Sequence, residues 1–331
     1  MKVLLCNDDG PPDPTVSPYI FSFYNHLSAM GWDVSVVIPS SQKSWIGKAF
    51  HITEITNGRY FYPTGPDGLT GETSTTPRPL KDGEVAEWIL LDGTPATCAN
   101  VGLHNLYSGI DLVISGPNLG RNTSSAFALS SGTLGAALSA SLSKTRSIAL
   151  SYGTVVHPTP NSYFQPAHVL AGRIIQYLWN HWGKDEGLRG EVDLYSINIP
   201  MIDGLLAEES LKIVWTKMWR NSYGRLFKAI PSGTATSKTF TRPSMNAAGP
   251  DASTADVSAS TESSNVQGGL AFKFSPSMEG LIRPDESALP VGSDGWAMFK
   301  GYASVTPLRS SFAEPAEEAT DLEDRIWKMK L

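Results

Sequence analysis

The chain has 331 residues, 41% of them hydrophobic, and its 26 basic and 32 acidic residues give a formal net charge of -6. This length allows one large domain with a substantial buried core. The acidic balance lacks the basic face that non-specific binding to nucleic acid requires, which excludes a nucleic-acid duplex as a partner. A small anionic substrate is still compatible with this charge, because a bound cation can outweigh the local protein charge.

Targeting and disulfide signals are missing from the sequence pattern. The segment MKVLLC at the start is shorter than the apolar stretch of a secretory signal. No run of residues approaches the ~18 apolar positions of a membrane span. Cys6 and Cys98 are too few for a disulfide framework and are interpreted as two buried thiols. We therefore expect a cytoplasmic protein that does not contact a membrane.

The first elements in the chain form a βαβ unit. Residues 3–6 (VLLC) are a short apolar run, typical of a strand buried on both faces of a parallel sheet. Ser17-Pro18 offers a helix cap followed by proline at the first helical position, and residues 19–27 carry apolar side chains at helical spacing. Residues 34–38 are the next strand. Such a unit predicts two parallel strands joined by a right-handed crossover.

The alternation of strands and helices continues to about residue 200. The predicted elements are a helix over 95–106, a strand over 112–114, a helix over 132–142, a strand over 148–150, a helix over 167–182 and a strand over 194–199. This pattern predicts an α/β fold with a doubly wound, mainly parallel, Rossmann-like sheet. Ligands bind such sheets at the carboxyl ends of the strands.

The pattern changes after residue 200. Residues 211–228 and 270–308 contain short runs with β character, including WAMF at 296–299, which predicts a C-terminal β-rich extension. Residues 231–269 are dominated by Ser, Thr, Ala, Gly and Pro, a composition that predicts a disordered insertion. Residues 54–84 are interpreted as a long surface loop. The predicted organisation is one domain over 1–308 and a helical extension over 309–331.

Two adjacent carboxylates, Asp8 and Asp9, follow the first strand within the sequence NDDG. Neighbouring carboxylates repel each other, and a divalent cation removes that conflict. Oxygen ligands suit Mg²⁺ or Mn²⁺. The alternative is that the pair caps a turn, with Gly10 supplying the backbone freedom. The residues alone leave both interpretations open.

Two further segments belong to the same predicted edge of the sheet. Residues 115–122 (SGPNLGRN) directly follow the strand over 112–114, and small residues there allow backbone N–H groups to approach a phosphate. Residues 131–133 (SGT) begin a predicted helix, whose N-terminus favours anions. An ordinary turn and an ordinary helix cap are the alternatives for these two segments.

Taken in order, these motifs make the chain similar to the SurE family of nucleotidases and acid phosphatases. The family motifs stand here at Asn7–Gly10, at Val36–Pro39 followed by Ser44, at Gly93–Cys98, at Ser115–Asn122, at Ser131–Thr133, at Ile197–Pro200 and at Gly301–Leu308. The low-complexity insertion and the long C-terminal segment resemble the fungal acid-phosphatase branch of that family.

The resemblance implies a metal-dependent phosphomonoester hydrolase, an acid phosphatase or a 5′- or 3′-nucleotidase. It implies that Mg²⁺ or Mn²⁺ is held by Asp8, Asp9, Ser44 and Asn118, with Asp8 and Asp9 as catalytic residues. It further implies a small phosphorylated substrate, such as a nucleoside monophosphate, and is compatible with a homo-oligomer. The predicted phosphate- and substrate-binding residues are Asn7, Gly10, Ser115, Gly116, Asn122, Ser131, Gly132 and Thr133.

This chain departs from the family pattern in a few places. Ser40 stands where the family more often has aspartate, and Ser139 where it usually has glutamate. The insertion falls where family members carry a hairpin used in oligomer formation. These departures concern substrate preference and assembly rather than the metal ligands.

Other functions are compatible with parts of the sequence. A receiver-like signalling domain also carries paired acids after its first strand and binds Mg²⁺, and a catalytically silent scaffold would keep the fold alone. None of the six histidines is spaced as a metal-ligand pair, and they are interpreted as surface or cap residues. Attack on phosphorus by water and direct attack by an aspartate are both compatible with the motifs.

Overall fold

The computed structural model describes residues 1–154, 158–185, 190–208, 211–230, 270–276 and 284–312. The strands are β1 Lys2–Cys6, β2 Asp33–Pro39, β3 Gly58–Thr64, β4 Thr70–Ser74, β5 Trp88–Leu91, β6 Leu112–Leu119, β7 Arg146–Thr154, β8 Lys184–Asp185, β9 Gly190–Glu191, β10 Leu194–Met201, β11 Ile213–Trp215, β12 Phe227–Ala229, β13 Phe272–Phe274 and β14 Ala303–Leu308. The α-helices are α1 Ile20–Ala29, α2 Pro95–Val101, α3 Ser124–Ser130, α4 Gly132–Leu142, α5 Phe164–Asn180 and α6 Asp294–Phe299.

Ten strands form the central sheet in the order β11-β14-β10-β7-β6-β1-β2-β5-β3-β4. The run from β10 to β5 is parallel throughout, and the antiparallel pairings of β14 with β10 and of β3 with β5 lie towards the two ends. The chain winds from β1 to β2 on one side and reaches β6 on the other. This reversal creates a crevice outside the carboxyl ends of β1 and β6, where doubly wound sheets bind ligands. The predicted fold class is confirmed.

Both faces of the sheet are covered by helices. On one face Leu5 packs with side chains of α1 and α5, such as Phe23 and Ile175. On the other face Leu4 packs with α2 and α4 through Cys98 and Ala136. Burial on both faces explains why the strand sequences are continuously apolar rather than alternating. Cys6 and Cys98 are buried free thiols, as predicted.

The segment over 54–84 differs from the predicted surface loop. It contains the antiparallel hairpin of β3 and β4, and β3 also pairs with β5, so the hairpin extends the sheet at its edge. The run Tyr60-Phe61-Tyr62 has the aromatic side chains that favour a pleated, half-buried surface. The glycines and threonines around that run concealed the strand signal.

The predicted β character of residues 296–299 is wrong. These residues lie in α6, which begins where Ser293 accepts a hydrogen bond from the backbone of Trp296 at 3.1 Å. A serine cap followed by Asp294 in the first turn stabilises a short helix irrespective of aromatic content.

The predicted insertion over 231–269 lies outside the described residues, and of the predicted helical extension over 309–331 only residues 309–312 are described. The division into domains therefore stays a prediction.

His168 also differs from the prediction of surface and cap histidines. Its side chain is completely buried within α5. Its two ring nitrogens lie 2.9 Å from Oγ of Ser22 and 2.8 Å from the hydroxyl of Tyr152. Burial, and then the neighbouring His26, lower the pKa of His168 to about 3. The neutral imidazole is thus a hydrogen-bonded part of the core between α1, α5 and β7.

No described helix combines the length and the apolar character needed to cross a membrane.

Candidate functional site

The turn that follows β1 places both aspartates inside the crevice. Asp8 is 3% exposed and Asp9 is 2% exposed. The amide nitrogen of Asn7 donates to the carbonyl of Gly10 at 2.7 Å, and the amide oxygen of Asn7 accepts from the backbone of Gly10 at 3.1 Å. Asn7 and Gly10 therefore shape the turn. Their binding of phosphate stays a prediction.

Asp8 faces the N-terminus of α4. Its Oδ1 accepts a hydrogen bond from the hydroxyl of Thr133 at 2.6 Å. A Cβ atom at Gly132 would lie 2.8 Å from Cβ of Asp8, so only glycine allows the helix to approach this closely. Burial raises the pKa of Asp8 to about 6, while the hydrogen bonds from Thr133 and the nearby backbone oppose the rise. The helix terminus and the carboxylate thus form one tightly packed unit.

Asp9 is less well satisfied than Asp8. Its Oδ2 accepts a hydrogen bond from the backbone N–H of Leu119 at 2.8 Å, which joins β1 to β6. Its Oδ1 is buried without a hydrogen-bond partner among the described residues. Burial, and then the charge of Asp8, raise the pKa of Asp9 well above its usual range. The backbone of Leu119 and the side chain of Gln42 act in the opposite direction, although the Gln42 amide nitrogen makes no hydrogen bond of normal geometry to Oδ1. A buried carboxylate in this state needs a cation or a proton.

An irregularity in β6 brings a second set of polar groups to the same place. The register between β6 and β7 shifts between Ser115 and Asn118. Gly116 lies in this bulge with a φ of 126°, and a Cβ atom there would lie 2.1 Å from the carbonyl oxygen of Leu150. The hydroxyl of Ser115 is buried without a hydrogen-bond partner among the described residues. Bulges next to functional sites commonly aim side chains in this way.

Asn118 lies at the end of the bulge and is 9% exposed. Its amide nitrogen donates to the carbonyl of Gly120 at 2.7 Å. This contact orients the side chain and leaves the amide oxygen as the atom able to bind a cation.

The side chain of Asn122 connects three elements. Its amide nitrogen donates to Oγ of Ser151 at 2.9 Å and to Oγ1 of Thr133 at 3.3 Å. Its backbone N–H donates to Oδ1 of Asn198 at 2.8 Å. Asn122 therefore holds the Thr133 hydroxyl that contacts Asp8. In this structure it has a positioning role, and direct contact with phosphate stays a prediction.

Ser131 begins α4. Its Oγ accepts from the backbone N–H of Leu134 at 3.2 Å, which is the predicted helix cap. The backbone N–H groups of Gly132 and Thr133 act on Asp8, and binding of phosphate by Ser131, Gly132 and Thr133 stays a prediction.

Ser44 lies in the loop after β2. The backbone N–H of Lys43 donates to the carbonyl of Asp8 at 2.7 Å, and Gly47 donates to the carbonyl of Ser130 at 2.9 Å. The loop thus runs between the turn after β1 and the start of α4. The nearby Ser40 is engaged elsewhere, since its hydroxyl donates to Asp92 at 2.5 Å. That Ser44 completes the site stays a prediction.

Sequence reasoning missed three residues around this crevice. Arg121 lies between the two asparagines of the β6 loop, and burial lowers its pKa to about 10 while Asp294 opposes the change. Its guanidinium stays protonated at neutral pH and brings positive charge near the site. Asp294 accepts hydrogen bonds from the backbones of Ser124 and Trp219, each at 2.8 Å. Asn198 supports Asn122, and its place in the INIP motif was the available signal.

The residues present fit a hard divalent cation. Among the residues that the structure describes, no group of three or more His, Cys, Asp or Glu side chains could hold a metal. The set is instead two carboxylates with neutral oxygens from Asn118 and Ser44, to which water and a phosphate can add. Mg²⁺ and Mn²⁺ prefer such oxygen ligands and commonly keep several waters. The partnerless Oδ1 of Asp9 is the observation that favours a cation over a simple turn.

Comparisons with known proteins identify the family and the fold of the chain. Residues 3–225 match the sequence profile of the family described as "Survival protein SurE". A relative from Archaeoglobus fulgidus, named "5'-nucleotidase SurE", is 31% identical over 67% of this chain and 74% of its own length. The crystal structure of a SurE protein from Aquifex aeolicus covers 95% of both chains with a TM-score of 0.58 at 20% identity, which shows the shared fold alone.

A further relative comes from Saccharomyces cerevisiae and is named "Probable tubulin--tyrosine ligase PBY1". It is 33% identical over 94% of this chain. The chain spans only 41% of the length of that yeast protein.

Proposed function

The chain is a member of the SurE family, and on that basis we propose that it is a phosphomonoester hydrolase that acts on nucleoside monophosphates. The family match supports the reaction class, and the name of the archaeal relative supports the substrate class. The yeast relative carries a different name, but most of its length lies outside this chain. The observation that carries the proposal is the buried, adjacent carboxylate pair with one partnerless oxygen, at the reversal point of a parallel sheet.

The ion would be held by Asp8, Asp9, Asn118 and Ser44. A bound Mg²⁺ or Mn²⁺ supplies charge neutralisation at a phosphate oxygen and lowers the pKa of a coordinated water. Asp8 and Asp9 are the catalytic residues in this proposal, because their carboxylates lie in the crevice beside the start of α4.

Several groups of the chain are arranged to receive the phosphate itself. The N-terminus of α4, near Ser131, Gly132 and Thr133, favours an anion through the helix dipole, although the N–H groups of Gly132 and Thr133 already act on Asp8. The partnerless hydroxyl of Ser115 and the glycine backbone at Gly116 offer further donors from β6. These donors are held in place before substrate binds, and preorganised donors stabilise developing negative charge without reorganisation.

The proposal is tested by hydrolysis of p-nitrophenyl phosphate and of a panel of nucleoside 5′- and 3′-monophosphates, sugar phosphates and polyphosphate. Each substrate is assayed with Mg²⁺, with Mn²⁺ and with EDTA. We expect turnover that requires a divalent cation and that is lost in Asp9→Asn. A chain that binds Mn²⁺ tightly but hydrolyses none of these compounds would be a silent scaffold, and the proposal would be wrong.

The route of attack is tested separately. A single-turnover reaction quenched with sodium borohydride, followed by mass spectrometry of Asp8 and Asp9, distinguishes the two routes. Borohydride reduces an acyl phosphate, so conversion of an aspartate to homoserine indicates an aspartyl-phosphate intermediate. Unchanged aspartates at every quench time indicate direct attack by water.

A further inference from the structure

A group of aromatic side chains lies beside the candidate site and has no part in the proposed chemistry. The ring of Trp45 lies 5.3 Å from that of Phe274, 6.0 Å from that of Phe127 and 6.4 Å from that of Tyr223. Phe227 joins through Phe274, at a centroid distance of 5.4 Å. These five residues are called the Trp45 cluster. They come from the loop after β2, from α3, from the segment before β12 and from the β12–β13 hairpin.

The Trp45 cluster is tied to the metal and phosphate groups through the backbone. Trp45 directly follows Ser44, and the preceding Lys43 donates to the carbonyl of Asp8 at 2.7 Å. Ile46, the next residue, would lie 3.1 Å from a Cβ atom at Gly132. Trp45 therefore lies between Lys43, which contacts the aspartate turn, and Ile46, which lies against the start of α4.

The backbone of Trp45 is strained. Its φ of 62° lies in the left-handed region, which disfavours a residue with a bulky side chain. Such strain is retained where the surrounding structure imposes it, and it concentrates at ligand-binding positions. Packing alone accounts poorly for this conformation, because the cluster is not a closed core. Tyr223 is 43% exposed and Phe227 is 55% exposed, while Trp45 is half-buried.

We propose that the Trp45 cluster binds a planar aromatic ring on the substrate's leaving group, and so makes the enzyme prefer phosphomonoesters that carry a nucleobase over small aliphatic ones. The inference rests on the proposed function. A phosphate held at Asp8, Asp9 and the start of α4 would lie close to the loop that carries Trp45, because Lys43 contacts Asp8 and Ile46 lies against Gly132. Stacking on an aromatic side chain accepts any base, because every base has a π-face. The selectivity is therefore for the presence of a base and only weakly for its identity.

Nucleobases suit this surface better than the other occupants of an exposed aromatic group. The chain has a net charge of -6, which disfavours an anionic lipid surface. Contact between two copies of the chain would also cover the rings, and it is an outcome of the test below. A nucleotide, by contrast, satisfies the phosphate site and the aromatic surface with one molecule.

The test compares Trp45→Gly and Trp45→Phe with the wild type. Glycine adopts the same φ without strain, so this variant removes the ring while keeping the loop conformation. We expect kcat/KM for adenosine and uridine 5′-monophosphates to fall by about tenfold to a hundredfold in Trp45→Gly, which is the range set by stacking of one base. Values for glycerol 3-phosphate and the inhibition constant of inorganic phosphate should change by less than about twofold. Trp45→Phe should retain most of the preference.

Trp215→Ala is the matched control, since Trp215 is also exposed but lies on the edge strand β11. It should leave the ratio of nucleotide to glycerol phosphate turnover unchanged. An equal loss for both substrate types in Trp45→Gly would assign the ring a structural role and overturn the inference. Conversion of an oligomer to a monomer by Trp45→Gly, seen by light scattering, would identify a contact between copies and would overturn it as well.

Failure of the proposed function is distinguishable from failure of this inference. If the wild type hydrolyses no phosphomonoester, the function is wrong, and titration calorimetry with adenosine 5′-monophosphate decides the second question. Binding that weakens about tenfold in Trp45→Gly would uphold an aromatic-ring site. Binding that is equal in the two proteins, or missing from both, would remove it.

Discussion

Replacing Asp9 by asparagine is expected to have opposite effects on stability in the absence and in the presence of a divalent cation. Without the cation, the buried Oδ1 of Asp9 has no hydrogen-bond partner among the described residues and lies beside the charge of Asp8. The amide oxygen of asparagine can still accept from Leu119, while its amide nitrogen takes the place of Oδ1. The substitution therefore leaves a polar group at this position but removes a buried negative charge that Asp8 repels. We expect Asp9→Asn to stabilise the metal-free protein by about 1–3 kcal/mol.

Asp8→Asn is the matched variant, and the structure predicts the opposite sign for it. The Asp8 carboxylate accepts from the Thr133 hydroxyl at 2.6 Å, and backbone N–H groups at Gly132 and Thr133 act on it as well. A hydrogen bond to a charged group contributes about 1.5–3 kcal/mol. An amide offers only one acceptor to these donors, so the metal-free Asp8→Asn protein should be less stable than the wild type.

A saturating cation should reverse the order of wild type and Asp9→Asn. Binding to the folded state alone stabilises a protein by about 4.1 kcal/mol at a thousandfold excess over Kd, which exceeds the advantage of about 1–3 kcal/mol expected for Asp9→Asn. The wild type should gain this amount, and Asp9→Asn should gain little.

The assay is urea unfolding followed by circular dichroism, in EDTA and in excess Mn²⁺. Equal shifts by Mn²⁺ in wild type and Asp9→Asn would refute the placement of the metal. Equal destabilisation of both variants in EDTA would refute the argument from the partnerless oxygen.

Three further predictions follow from individual contacts. Thr133→Val removes the hydrogen bond to Asp8 and should lower kcat/KM for p-nitrophenyl phosphate by about 10- to 100-fold, whereas Thr133→Ser should retain most activity. The pKa of His168 is lowered from 6.5 to about 3 in the folded protein. Between pH 6.5 and pH 3 the unfolded state therefore binds more protons than the folded state. The free energy of unfolding that is present above pH 6.5 is lost as the pH falls through this range. The loss should be on the order of 3 kcal/mol at pH 4, measured by urea unfolding, and smaller in His168→Gln. Replacing residues 233–264 by a short Gly/Ser turn should leave the melting midpoint, measured by calorimetry, within a few degrees. The backbone N–H of Ile230 already donates to the carbonyl of Ala271 at 2.9 Å, and the free energy of loop closure changes by only ~0.6 kcal/mol per doubling of length. A large drop in the midpoint would show that the segment is structural.

The sequence by itself determined the sheet and the location of the site. The run VLLC reads as a strand buried on both faces, and Leu4 and Leu5 do pack against opposite helical layers. Because parallel strands end at one edge, Asp8, Asn118 and the start of α4 had to lie near one another. These properties follow from the period of the apolar residues and from the order of the elements, both of which are local in the chain.

Other features were decided only by the tertiary structure. WAMF is a helix because a serine cap precedes it, and the segment over 54–84 is a hairpin because β5 offers an edge to pair with. In both cases a neighbour outside the run overrides the propensity of the residues within it.

The roles of the polar side chains likewise depended on long-range contacts. The hydroxyl of Thr133 meets Asp8 across 125 residues of sequence, and Asn122 meets Asn198 across 76. Such pairings depend on strand register and on the bulge at Gly116, which residue spacing does not encode. For the same physical reason, the meeting of Trp45 with Phe274 was visible only after the chain had folded.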